Sequence, residues 1–76
     1  MRKTITSEKY LKLLEWLKAA REEQGLSMRD LALKLDEPHS FVGKVETAER
    51  RLDLLEFVIY CRALNLAPEK GLSLLE

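Results

Sequence analysis

The chain has 76 residues, enough for one hydrophobic core and too few for two. Its 13 lysines and arginines balance 13 aspartates and glutamates, so the overall charge favours no polyanionic partner. The single cysteine, Cys61, excludes an internal disulfide and a zinc site built from thiolates.

No apolar run approaches the roughly 20 residues of a membrane-spanning helix, and Met1 leads into a polar stretch without a signal-peptide core. The expectation is a soluble, unexported, cytoplasmic protein with no membrane partner. Charge is uneven along the chain. Residues 1–26 carry six basic and four acidic groups, residues 27–51 carry five of each, and residues 52–76 carry two and four. A nucleic-acid contact should therefore avoid the C-terminal end and have modest nonspecific affinity.

Residues 7–24 read as a helix capped by Ser7, with a stripe of Tyr10, Leu14, Leu17, Arg21 and Gln24 broadened by Leu13 and Ala20. Gly25 is its expected left-handed stop. Ser27 caps a short second helix in a box with Asp30, with Leu31, Ala32 and Leu35 facing inward, and "LDEP" ends it. Pro38 falls in the first turn of a third helix that runs to about Glu46 or Thr47. Asp53 and Glu56 form another D-x-x-E start, and Leu54, Phe57, Val58, Cys61 and Leu64 make residues 53–64 a fourth helix, stopped by Asn65. Pro68 opens a last short helix with Leu72 and Leu75 on one side. No stretch alternates as a strand does, so the fold class is all-α with four or five helices.

On a wheel of 3.6 residues per turn, Val42, Val45, Pro38 and Glu46 face inward with Phe41 at the margin. His39, Gly43, Thr47, Ser40 and Lys44 form an unbroken outer arc without a large apolar residue. So weakly anchored a helix needs the preceding helix and their tight polar turn to hold it. That arrangement suits a helix-turn-helix whose second helix enters a major groove, and it equally suits an ordinary αα-corner in a small bundle.

Four stretches, "LKAAREEQGLS", "LALKL", "SFVGKVE" and "ERRLDLLEFVIYCRALNL", follow one another over residues 17–66. In that order they resemble the Cro and lambda-repressor-like (XRE-type) helix-turn-helix family. The variant "SFV.K.E..ERRLD" is similar to short stand-alone regulators of bacterial chromosomes, phages and mobile elements. The resemblance implies a single helix-turn-helix domain over residues 1–76, with a core at about 17–66 flanked by the extended first helix and by helix 5. It implies a third helix lying in the major groove of a double-stranded DNA operator.

By matching positions, His39, Ser40 and Lys44 fall where the family contacts base edges, and Arg21 and Glu46 where it joins helix 1 to helix 3 by an ion pair. The wheel independently turns Glu46 inward. Arg50, Arg51 and Thr47, with Arg29 and Lys34 on helix 2, are candidates for the phosphate backbone. Asp36 and Glu37 would repel phosphate there unless they point away or cap helix 3. The chain departs from the family at Met28, where Gln usually meets phosphate, at Thr47-Ala48, where Gly usually follows the helix 3 Glu, and at Gly43 in the outer arc.

Leu55 and Ile59 lie off the core stripe of helix 4 and Trp16 lies at the edge of the buried face of helix 1, a candidate homodimer surface. Cover by helix 1 and the tail "LSLLE" is the alternative. Catalytic spacings, a phosphate-binding glycine loop and metal-ligand clusters do not occur, so the expectation is no enzyme, cofactor or metal. The reading is a DNA-binding regulator, a repressor acting as a dimer on a two-fold operator. A protein-interaction or antitoxin-like module on the same scaffold, with a protein partner and weak DNA affinity, is its rival.

Overall fold

The computed structural model describes residues 7–76. The expectations drawn from the first six residues, that of an unexported chain and the start of the single-domain span, lie outside the described residues. Among those described there are five helices and no strand: α1 (Glu8–Glu23), α2 (Met28–Leu35), α3 (Ser40–Glu46), α4 (Leu54–Ala63) and α5 (Pro68–Ser73).

Each of the longer helices begins where a side chain takes up the unpaired amides of its first turn. The Ser7 hydroxyl accepts from the Tyr10 amide at 3.1 Å. Ser27 with Asp30, and Asp53 with Glu56, close reciprocal capping boxes. The ends share one geometry. Gly25, Asp36, Ala48 and Asn65 all lie at left-handed φ of +57° to +71°, although only one of them is glycine. At the end of α3 the Glu49 amide reaches back to the Lys44 carbonyl at 2.9 Å and the Ala48 amide to that of Val45 at 3.1 Å. Leu66 and Asn65 make the same pair of bonds to Cys61 and Arg62 after α4. This is the Schellman closure, and it stops α3 at Glu46 without the customary glycine.

One core forms at the meeting of all five helices. Leu13, Leu14 and Leu17 from α1, Leu31 and Ala32 from α2, Phe41, Val42 and Val45 from α3, and Phe57, Tyr60, Cys61 and Leu64 around α4 fill it. Helix α3 packs on α1 and α2, α4 on α2, and α5 closes over α1 and α4. Gly71 makes that closure possible, because a Cβ there would lie 2.6 Å from Trp16 Cζ3 and 2.9 Å from Phe57 Cζ. Burial pushes the Cys61 thiol up to about 11, which leaves it a packing residue rather than a nucleophile.

Three sequence expectations change. Pro38 is exposed and precedes α3 by two residues; its carbonyl accepts from the Phe41 amide at 2.9 Å, a tight turn that leads into the helix, so the helical wheel does not apply to it. On α4 the buried face centres on Tyr60 rather than on Leu54 and Val58, which are 79% and 36% exposed. Leu54 opens the helix beyond the edge of the core. Gln24 is exposed as well, and its amide nitrogen donates to the Leu64 carbonyl at 2.7 Å, tying the end of α1 to the end of α4.

Candidate nucleic-acid interface

Helix α3 has only seven residues, too few to persist alone, and its orientation is set from behind. Val42 and Val45 are fully buried and Phe41 nearly so. Behind them Arg21 Nε donates to Glu46 Oε2 at 2.7 Å, Arg21 Nη2 donates to Glu46 Oε1 at 3.2 Å, and Arg21 Nη1 reaches the Leu26 carbonyl at 2.8 Å. The side chains of Arg21 and Glu46 are 8% and 5% exposed, so this bidentate pair is withdrawn from water. The hydrogen bonding of Arg21 to the Glu46 carboxylate is the main reason that its guanidinium is raised above its ordinary pKa.

With its inner side fixed, α3 turns Ser40 and Lys44 to solvent, and His39 at its N-cap is exposed beside them. Among the described residues their side chains take part in no ion pair or hydrogen bond. Ser40 and Lys44 border an open groove of about 400 Å³ together with Glu37, Phe41, Glu49 and Arg50. Asp36 and Glu37 do not cap α3, whose first turn carries no side-chain cap. Glu37 lines the same groove.

The flanking residues are less open. Thr47 is exposed, but its hydroxyl is bonded to the Gly43 carbonyl at 3.0 Å and to Glu49 Oε2 at 2.8 Å. Arg50 grips Glu56 through two bonds of 2.9 and 2.8 Å, donates to the Arg51 carbonyl at 2.7 Å, and lies 5.0 Å over the Phe41 ring. The same Glu56 carboxylate completes the α4 capping box. Arg50 therefore joins the loop after α3 to the start of α4, and its use on phosphate competes with that bond. Lys34 donates to the Ala63 carbonyl at 3.3 Å, covering the end of α4. Arg29 and Arg51 are exposed near α3.

Gly43 is half-buried rather than open, because Met28 from α2 lies against it. Neither that contact nor the Arg50–Glu56 pair stands out in the sequence. Each joins positions whose separation fits no helical period, and the only hint of the second is the D-x-x-E start that Glu56 belongs to.

The surface considered for dimers divides. Leu55 and Ile59 are 70% and 48% exposed and adjoin Leu54 and Val58 on α4. Trp16 is half-buried, packed on the core and overlaid by Gly71 of α5.

The arrangement has counterparts. The sequence model of the helix-turn-helix family matches residues 17–71. A solved structure described as an XRE-family like protein from Pseudomonas syringae pv. tomato str. DC3000 is 45% identical to this chain. The similarity covers 93% of this chain and 87% of that one, at a TM-score of 0.83. A comparison with curated proteins gives no match. With the family matched across the two helices that frame the exposed face, and a solved relative sharing nearly the whole fold, the chain belongs to the XRE family of helix-turn-helix proteins, a family of DNA-binding regulators.

Proposed function

We propose that the protein is a sequence-specific regulator that binds double-stranded DNA through α3 and represses transcription by occupying a promoter. One observation carries the reading: the side chains of His39, Ser40 and Lys44 stand exposed and unengaged, among the described residues, on a helix whose opposite side is locked by Val42, Val45 and Glu46. A serine hydroxyl and a lysine ammonium in a major groove reach base edges such as guanine O6 and N7, and His39 is placed for a base or a phosphate. Arg29, Lys34, Thr47, Arg50 and Arg51 are the phosphate candidates, and Arg50 reaches phosphate only on leaving Glu56. A homodimer formed through Leu55 and Ile59 on α4 would present two copies of α3 to half-sites about one DNA turn apart.

A second reading has its own support. The chain is neutral overall and the Arg50 guanidinium is engaged by Glu56, which lowers the positive charge offered to phosphate and favours a protein-interaction or antitoxin-like module.

Duplex fragments from the region upstream of the protein's own gene separate the two. Binding that prefers one fragment, falls steeply with salt, and weakens in Lys44→Ala with that preference relaxed supports the regulator. Failure to retain any fragment at any salt overturns it in favour of the module. Sedimentation of a monomer at high micromolar concentration removes the dimer from the proposal.

A further inference from the structure

Met28 is an apolar side chain on the first turn of α2, and it is 41% exposed beside the α3 face. Its thioether is aimed at the middle of α3: a Cβ built on Gly43 would lie 3.6 Å from Met28 Sδ, an ordinary van der Waals separation. The sulfur therefore lies in contact with where a methyl at position 43 would sit, so that a longer side chain there would meet it. At that point of the arc between His39 and Thr47, α3 presents a methionine supplied by its neighbour.

The chemistry of that side chain narrows what it can recognise. A thioether has no N–H or O–H to donate and accepts hydrogen bonds only weakly, so it cannot serve as a phosphate clamp. It is a polarisable apolar group that adapts to the shape it meets. On the major-groove edges of the four base pairs, the prominent apolar feature is the C5-methyl of thymine. We infer that Met28, seated over Gly43, is a specificity-determining residue that selects thymine by its methyl group, next to the bases reached by Ser40 and Lys44. The inference rests on the DNA-binding reading and deepens it by assigning one base to one contact.

Replacement of thymine by deoxyuridine tests it, because that change deletes the methyl and leaves the hydrogen-bonding edge intact. The protein first selects its preferred duplex from a random pool, and each thymine of that duplex is then replaced in turn. At one thymine per half-site the wild-type protein should bind the deoxyuridine duplex about four-fold more weakly, the equilibrium equivalent of burying one methyl. Met28→Ala and Met28→Gln should bind the two duplexes equally, whereas Lys44→Ala should keep the preference while binding both less well. Circular dichroism of the variants checks that each is folded.

A selected duplex in which no thymine methyl matters, or a methyl preference that persists in both Met28 variants, overturns this inference and leaves DNA binding standing. A protein that retains no duplex from the pool overturns the DNA-binding reading and this assignment with it.

Discussion

Arg21 and Glu46, 25 residues apart in sequence, meet through Nε and Oε2 at 2.7 Å and fasten the first helix to the last turn of the third. Both side chains are almost wholly out of water, so removal of one leaves the other buried without its partner. Glu46→Ala should lose about 3–5 kcal/mol of stability, read from urea unfolding. A loss no larger than that of an exposed-residue change would show that the pair holds nothing in place.

Gly71 carries α5 closer to Trp16 than any side chain allows. Gly71→Ala should destabilise by about 1–3 kcal/mol through overpacking against Trp16, Phe57 and Leu13, and should alter the Trp16 fluorescence of the folded protein. Thermal melts followed at that wavelength measure both effects together.

Gly43 and Ala48 make opposite demands on the backbone around α3. Gly43 lies within the helix with room for a methyl, so Gly43→Ala should stabilise by up to about 1 kcal/mol through helix propensity. Ala48 holds φ at +66°, where a Cβ is strained, so Ala48→Gly should also stabilise, by about 0.5–1 kcal/mol after the greater freedom of the unfolded glycine is allowed for. Denaturant midpoints of the two variants and of their combination give the comparison.

Acid should weaken the fold in a defined direction. The Arg50 guanidinium, followed by the Asp53 amide, holds the Glu56 carboxyl below its ordinary 4.5, and the Ser27 amide does the same for Asp30 below 3.8. A carboxyl depressed in the folded state contributes stability above its unfolded value and loses that contribution as the pH falls through its folded value. The unfolding midpoint should therefore drop between neutrality and about pH 3, and the drop should be smaller in Glu56→Gln, with each variant compared with itself at the two pH values.

Much of this architecture can be read from local chemistry. Ser7, Ser27 and Asp53 mark helix starts because a short oxygen-bearing side chain two or three residues before a free amide is the simplest way to satisfy it, and Gly25 and Asn65 mark stops because they tolerate left-handed φ. Ala48 has no such preference. Its left-handed turn is imposed by the bonds of Glu49 and Ala48 back into α3 and by packing on the core. Pro38 suits the first turn of a helix and the turn before one equally well, since its fixed φ fits both. Only the bond from Phe41 decides between them. On the candidate interface, the exposure of His39, Ser40 and Lys44 follows from helical period. The engagement of Arg50 by Glu56 and the placing of Met28 over Gly43 are products of tertiary structure, invisible until the chain has folded.

The division of labour within α3 bears on how such a protein changes over generations. Phe41, Val42, Val45 and Glu46, with Arg21 beneath them, hold the helix in place, while the side chains of His39, Ser40 and Lys44 bond to nothing else among the described residues. Exchange of those three alters folding energy little. Under the proposed function, target preference would change through these positions without the scaffold having to be reinvented.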